Sequence, residues 1–392
     1  MVDVFIFTVD NIVCWYVIYG MRIAKTEEKE HEGESTMFRI LHLSDIHIGK
    51  TYKEPDSIAC KIGADLAYNG LSAINCIVVT GDIFDGQVKT TDALIDTAVN
   101  FFVTLLDEIN SNQEKCQISK EDVIFVPGNH DLIRVDDLKE RWSKYQSFLE
   151  RFYGNIPSFY SEKNYSLLKE YKEHKIAFIG FNSCEIEKRN PFDDNYINKF
   201  VKYMKESDLN KYGIDKTKVI ELMRSEEKSE YDDYGSIPLS QITPIERKIK
   251  KLDDYIVVAL FHHHFYLFPE VANQFGDSSL IRNYAEVIQH LRYMNVSVVL
   301  HGHKHFALER PFIMDDYYES ADNIIDVFAG GSVGTARKEE HTFGVLDLYE
   351  KNDDIKLKHN KFVYNDESLQ PIKKKQVPPQ KLKGRVVKLL EI

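Results

Sequence analysis

A layered α/β fold is what this sequence predicts, and three observations predict it. Apolar runs of strand length alternate with amphipathic stretches of helix length from Met37 onward. The composition is globular, 43% hydrophobic and 29% charged over 392 residues, which is too apolar for disorder over most of the chain. Five short motifs of histidine, aspartate and asparagine each fall where a strand-like run ends, the edge at which open α/β sheets form ligand sites.

The strand-like runs cover 38–44, 75–80, 122–126, 175–182, 255–261, 296–301, 324–329 and 342–348. They are short, apolar and bounded by Gly, Asn or Pro, as buried strands are. The helix-like stretches cover 56–69, 91–110, 135–152, 240–252 and 278–294. Residues 186–234 interrupt this rhythm with Lys, Glu and Tyr and read as a helical insertion on the rim of the domain. Residues 355–364 read as a late edge strand. From 369 to 392 the chain turns basic, with Lys373-Lys374-Lys375, Pro378-Pro379, Lys381, Lys383, Arg385 and Lys388, and reads as a flexible tail that could meet a protein partner.

Residues 1–36 read as an extension ahead of a domain spanning 37–368, with Met37 as the alternative natural start; a short extra strand or helix is the competing reading. Asp3, Asp10 and Asn11 break up the apolar opening, and the run Ile12 to Tyr19 is far shorter than the roughly 20 residues of a membrane helix. No Lys or Arg precedes it, unlike a signal peptide. No membrane role is expected. The net charge of −12 argues against a basic track along nucleic acid. The five cysteines, Cys14, Cys60, Cys76, Cys116 and Cys184, are scattered without any CxxC, which fits a reducing cytoplasm better than a disulfide framework or a structural zinc site.

The motifs carry the chemistry. The first run ends in Ser44-Asp45-Ile46-His47, where residues two apart on a strand share a face and can grip one cation. The second ends in Gly81-Asp82 with Asp85 three residues on; Gly81 permits a tight turn that puts Asp82 at the strand tip. The third ends in Pro127-Gly128-Asn129-His130-Asp131, an amide oxygen, a titratable donor and a carboxylate able to hold that imidazole. The fourth ends in His262-His263-His264, the fifth in His301-Gly302-His303-Lys304-His305. Eight of the 14 histidines lie in these motifs. This set of N and O donors without thiolate suits Mn, Fe, Zn, Co or Ni better than Ca or Mg. It is too large for one tetrahedral ion but sufficient for two that share a carboxylate. His42 is expected to face the core, and His301 to complete its strand. His31, His174, His290, His341 and His359 are expected to be ordinary surface or core residues, and Gly330-Gly331-Ser332 a close-packed turn.

In this order, Asp-x-His, Gly-Asp-x-x-Asp, Gly-Asn-His-Asp, His-His and Gly-His-x-His resemble the calcineurin-like metallophosphoesterase superfamily, from Asp45 to His305. Gly235 to Lys251, with Leu239, Gln241 and Ile245, is similar to the helix the family places before the histidine strand. The resemblance implies a four-layer αββα sandwich with two mixed sheets and a binuclear metal centre. It implies Asp45, His47, Asp82 and His305 around one ion and Asp82, Asn129, His262 and His303 around the other, with His263 as the alternative to His262 and Asp85 supporting a ligand from behind. Two divalent or trivalent ions are implied, with manganese preferred. His130, oriented by Asp131, would donate to the phosphoryl group or leaving oxygen, and the nucleophile would be a metal-bound hydroxide.

Within the superfamily, Ser/Thr protein phosphatases carry Arg directly after the second Asp of Gly-Asp-x-x-Asp and end the histidine motif in Glu. Here those places hold Gly86 and Asp131. The His-His-His run resembles cyclic-nucleotide phosphodiesterase-like members, and Leu41 to Lys50 with Gly81 to Asp85 resemble repair-exonuclease members. The expected activity is therefore phosphodiester hydrolysis on a nucleotide-like or cyclic nucleotide substrate. The alternative is a metal-dependent DNA or RNA nuclease, and a non-catalytic scaffold of the same fold ranks last. Residues 186–234 and Phe265-Tyr266-Leu267-Phe268 adjoin the motifs and are expected to wall the site.

Overall fold

The computed structural model describes residues 4–9, 12–17, 36–50, 54–86, 88, 91–113, 117–133, 138–185, 201–202, 215–220, 234–265, 280–305, 307, 312–314, 325–334, 341–351, 354–364, 375–376 and 380–381. Two compact units divide it, Met1–Ser35 and Thr36–Ile392. In the first, β1 (Val4–Val9) and β2 (Ile12–Val17) pair antiparallel from Val4 opposite Val17 to Val9 opposite Ile12. Residues 4–9 and 12–17 are thus a strand pair of their own. Their β-branched and aromatic residues favour pairing, and Asp10-Asn11 between the strands are turn formers.

In the second unit, β3 (Thr36–Leu43), β4 (Cys76–Thr80) and β5 (Val123–Val126) run parallel. The α-helices α1 (Pro55–Tyr68), α2 (Asp92–Ser111) and α3 (Leu138–Tyr153) accompany them. The second sheet comprises β6 (Leu167–Tyr171), β7 (Ile176–Gly180), β8 (Ile256–Leu260), β9 (Val296–His301), β10 (Phe312–Met314) and β11 (Ile325–Ala329), in the order β10-β11-β9-β8-β7-β6. Helices α4 (Leu239–Ile249) and α5 (Tyr284–Tyr293) belong with it. The chain then returns to the first sheet through β12 (His341–Lys351) and β13 (Asp354–Tyr364), with β12 antiparallel to β3.

The strands are apolar on both faces, and their alternation sorts side chains between layers. In β3 to β5, Leu41, Leu43, Ile77, Val79, Val123 and Phe125 pack with α1 to α3. The intervening Ile40, Cys76, Val78, Ile124 and Val126 face Phe178, Val258, Leu260, Val298 and Leu300 of the second sheet. On that sheet's far side Ala177, Val257, Ala259 and Val299 pack with Ile242, Ile245, Val287 and Leu291 of α4 and α5. The result is the expected helix–sheet–sheet–helix sandwich of two mixed sheets.

Several details depart from expectation. β13 is not an edge, because β14 (Lys375–Gln376) and β15 (Gln380–Lys381) pair with it. That part of the basic tail is thus held on the sheet, and the rest of 369–392 lies outside the described residues. β6 and β10 were not foreseen: β6, Leu-Leu-Lys-Glu-Tyr, is half polar, as an edge strand can be. Of the insertion 186–234, residues 201–202 and 216–220 are helical, and nearly all the rest lies outside the described residues. No helix among the described residues is long and apolar enough to cross a membrane.

Two buried histidines carry a pH dependence. His42 follows Ile40 on the inter-sheet face and bonds Thr80 Oγ1 at 2.9 Å; His359 lies against the Phe328 ring at 4.9 Å. Burial, then His359 and His301, push the pKa of His42 down to about 3. Burial, then Lys361, pushes His359 down to about 4. The unfolded chain binds these protons near 6.5, so their stabilisation is complete above that pH and lost as pH falls through the folded values. Denaturant unfolding should show a loss of roughly 1–3 kcal/mol per histidine between pH 7 and pH 4.5. His359→Gln should flatten that slope, and an unchanged slope would refute the assignment.

Candidate metal centre

The expected ligands converge beyond the carboxyl ends of β3, β4, β5, β8 and β9. Three groups of donors each fit within 4.8 Å: Asp45, His47 and His305; His47, Asp82 and His130; and Asp82, His262 and His303. Asn129 joins the last, its Oδ1 lying 3.0 Å from His262 Nε2 and 3.2 Å from His303 Nδ1. The two His-rich motifs, after β8 and β9, therefore meet the motifs after β3, β4 and β5 from the opposite sheet.

The way they converge differs from the strand alternation expected for Asp45 and His47. β3 has ended at Leu43 and β9 at His301. Asp45, His47, Asp82, His303 and His305 all have φ between 52° and 80°, a left-handed conformation uncommon for residues with a Cβ. Only three other non-glycine residues among those described share it, so the strain is concentrated at this site. The turns are pinned across the sheet, with the N–H groups of Ile46 and His47 donating to Asp82 O at 2.9 and 3.0 Å. Gly81 makes the bend at φ 88°, as expected. A Cβ on Gly302 would stand 1.8 Å from Ser44 Oγ and 2.6 Å from Asp45 Oδ2; only glycine lets the two motifs approach this closely.

Each carboxylate divides its oxygens between scaffold and site. Asp45 Oδ2 accepts from Ser44 Oγ at 2.5 Å and from the N–H of His303 at 3.0 Å. Its Oδ1 faces the Nε2 atoms of His305 at 3.3 Å and His47 at 3.9 Å. Asp82 Oδ1 accepts the N–H of His130 at 2.8 Å, and Oδ2 lies 3.3 Å from His262 Nε2. Burial opposes ionisation of Asp82, but His262 and His130 outweigh it and hold the carboxyl well below its usual range. Burial likewise opposes the rise at His262, yet the Asp82 carboxylate raises its pKa to about 9. A cation entering here would take the proton's place on His262.

The rings of His262 and His263 are held differently. His262 Nδ1 lies 2.7 Å from the Thr80 carbonyl and can only donate to it, so in the neutral ring the Nε2 lone pair points into the space it shares with Asp82, Asn129 and His303. His263 turns its Nδ1 to Ser183 Oγ at 2.9 Å and joins none of the three donor groups. The donor set fits cations on the structure's own terms. Imidazole nitrogens of His47 and His305 stand 2.9 Å apart, and those of His262 and His303 stand 3.1 Å apart, with buried carboxylates between them. Lone pairs so crowded call for a shared proton or a metal.

His130 is half-buried, its ring 5.2 Å from that of His47. The expected orientation by Asp131 is not what holds it. The Asp131 oxygens accept from the N–H groups of Phe84 at 3.1 Å and Gly128 at 2.9 Å, so Asp131 ties the loop after β4 to the loop after β5. Burial, then Asp82, raises its pKa to about 6. The N–H of Gly86 donates to His130 Nδ1 at 2.9 Å, which leaves the neutral ring's proton on Nε2. Asp85 pairs with Lys50 at 3.6 Å. Phe265 does not wall the site: it is buried against Phe261, ring centres 5.4 Å apart, in the core beside α4 and α5; Tyr266 to Phe268 lie outside the described residues.

Sequence reasoning missed the hydroxyls that hold these groups. Ser183 Oγ accepts the N–H groups of His262 and His263 at 3.3 and 3.1 Å. Ser332, in the turn expected only to be close-packed, donates to Asp45 O at 2.8 Å. The signal available was a polar Asn182-Ser183 directly ending an apolar strand. Asp131→Asn tests its corrected role. An amide has one acceptor oxygen for two N–H donors, so both loops should loosen. Metal affinity, read by calorimetry, should fall by about 10-fold or more, as for other supports of metal ligands. Unchanged affinity with lowered turnover would instead favour a direct action on His130.

The profile of the calcineurin-like phosphoesterase family matches residues 38–307. No curated protein sequence matches the chain. Among solved structures, the anchor in the inner membrane complex of Plasmodium is similar at 12% identity and TM-score 0.41, covering 89% of each chain. A phosphatase from Mycoplasma pneumoniae is 10% identical with TM-score 0.32, over 90% of this chain and 96% of that one. Phosphopantetheinyl hydrolase from Mycobacterium tuberculosis is 13% identical with TM-score 0.31, over 76% and 90%. By the extent of the family match, which includes all five motifs, the chain belongs to the calcineurin-like phosphoesterase family.

Proposed function

We propose that the protein hydrolyses phosphodiesters of nucleotide type at a centre for two metal ions. The observation that carries this is the meeting of two donor groups at Asp82: Asp45, His47 and His305 on one side, and Asn129, His262 and His303 on the other. Asp82 and His47 belong to the intermediate group as well, and Asp82 is the carboxylate that would serve both ions. Bound there, the ions would supply Lewis acidity toward a phosphoryl oxygen and an activated water as nucleophile. Manganese is the preferred occupant among metals suited to mixed imidazole and carboxylate ligation.

The chain's own residues do the rest. His130 presents Nε2–H beside His47 and protonates the leaving oxygen, with Gly86 N–H holding the opposite ring nitrogen. Gly86 also supports a diester over a monoester. A Cβ there would meet the His130 ring at 2.9 Å, so the position supplies no cationic side chain for a phosphoryl dianion. The likeness of Leu41 to Lys50 to repair exonucleases and of the His-His-His run to cyclic-nucleotide enzymes supports the same level of description. The chain's charge of −12 favours a compact substrate over long nucleic acid, and its scattered thiols suit the cytoplasm. The basic tail is offered as a contact for a protein partner.

With Mn²⁺, bis-p-nitrophenyl phosphate should be cleaved at least about tenfold more efficiently than p-nitrophenyl phosphate, a difference of roughly 1.4 kcal/mol in barrier. Cyclic nucleotides and labelled single-stranded DNA complete the panel; processive cleavage of DNA would favour the nuclease, and a preference for the monoester would overturn the reading. Asp82→Ala should lose both metals and nearly all turnover. On a cyclic nucleotide, whose alkoxide leaving group needs a proton, His130→Ala should keep its metals and lose turnover by about 10²–10⁴-fold. An emptied site in His130→Ala would make it a ligand, as its membership of the intermediate donor group permits.

A further inference from the structure

We propose that Lys144 is a positioning residue for His130, holding its backbone so that the ring can deliver a proton to the leaving group; this rests on the reading of His130 given above. Lys144 sits on α3, on the helix side of the first sheet. Its neighbours on the packed face are Trp142, Tyr145, Phe148 and Leu149, all buried. Only 5% of Lys144 is exposed. Its Nζ donates to the carbonyl of His130 at 3.0 Å and lies 4.5 Å above the Phe84 ring. No carboxylate among the described residues comes within ion-pair distance. Burial pushes the ammonium pKa below its usual value, against the pull of Asp131, Asp82 and Asp85.

A buried ammonium without an ion-pair partner is a costly choice on an apolar helix face. A leucine or methionine would fill the same space without desolvating a charge. What hydrocarbon cannot do is bond the His130 carbonyl. That bond completes a set of three. The His130 N–H is held by Asp82 Oδ1 at 2.8 Å, and the ring by the N–H of Gly86 at 2.9 Å. The carbonyl is held by Lys144. The two partners on the β4 side, Asp82 and Gly86, belong to the loop that Lys144 also covers through Phe84. One cation therefore bears on both loops that set the distance from His130 to the shared carboxylate. Without it the peptide between His130 and Asp131 keeps only the bond from Asp131 N–H to the Gly128 carbonyl at 3.1 Å, and the ring's aim loosens.

A residue acting only through proton delivery should matter in proportion to how much the leaving group needs the proton. The test compares methyl p-nitrophenyl phosphate, whose leaving phenolate needs little protonation, with methyl phenyl phosphate, whose leaving phenolate needs more. In the Mn²⁺-loaded protein, Lys144→Met should lower kcat on methyl phenyl phosphate by about 10–100-fold, within the range of one acid-base group. On methyl p-nitrophenyl phosphate the loss should stay below about threefold, with KM and bound metal unchanged. In a His130→Ala background, adding Lys144→Met should change kcat by less than about twofold, since coupled residues do not add. Equal losses on both substrates, loss of metal, or a full additional loss in the His130→Ala background would each overturn the proposal. If Lys144→Met does not fold, Lys144→Arg and Lys144→Leu decide: Arg should preserve the ratio of the two rates and Leu should shift it, and an identical ratio in both would overturn the proposal. Should His130→Ala itself leave kcat unchanged, the role of His130 fails first. If His130→Ala behaves as expected and Lys144→Met does not, only the inference about Lys144 falls.

Discussion

Concentrating carboxylates and imidazoles in one buried place is the constraint on which the rest of this structure depends. Asp45 and Asp82 have almost no contact with solvent, and His262 has none. Bringing such groups out of water is costly unless each finds a partner. The protein answers by giving every carboxylate a scaffold oxygen and a site oxygen. Ser44, the N–H of His303 and the N–H of His130 take the first. The second is turned toward imidazole nitrogens. What remains is a set of lone pairs too close together to be stable without protons or cations between them, so the affinity of the site for metal is built from the discomfort of its own ligands.

The sandwich exists to present that cluster. Parallel strands in each sheet end at the same side, and the apolar inter-sheet layer brings the two sets of ends face to face. Close approach is then a matter of what is missing. Gly302 has no Cβ to collide with Ser44, and Gly81 bends where the left-handed turn needs it. Five ligand candidates accept left-handed backbone, a local cost borne by the well-packed sheets beneath. The loops after β4 and β5 are knitted by Asp131 from one side and by Lys144 from the other. His130 is thereby fixed at its N–H, its carbonyl and its ring.

The correction at Asp131 shows why motif reading stops short of mechanism. Gly-Asn-His-Asp places a carboxylate beside an imidazole in the chain, and adjacency suggests that one holds the other. In the fold the two side chains diverge, and a backbone N–H from Gly86, 44 residues away, takes the role. The same holds for Asp45 and His47: strand alternation would bring them together, but the strand has ended and left-handed turns do so instead. The residues that meet were legible for reasons that were partly wrong.

Taken alone, the sequence determined the layers, because near-continuous apolar runs demand burial on both faces and amphipathic stretches demand one. It also picked out donor candidates that the fold brings together, since imidazole, carboxylate and amide at strand ends have few other uses in such number. It did not reveal β6 or β10, whose composition is that of polar edges or whose length is three residues, nor the pairing of the tail on β13, which depends on distant backbone. Only the tertiary structure decided which nitrogen of His262 faces the cluster, because the Thr80 carbonyl that sets its tautomer lies 182 residues away. Only it placed Ser183, Ser332 and Lys144, whose side chains carry no pattern in sequence and gain meaning from the atoms they reach. Composition and period specify what must be buried; the direction of a hydrogen bond is a property of three-dimensional neighbours.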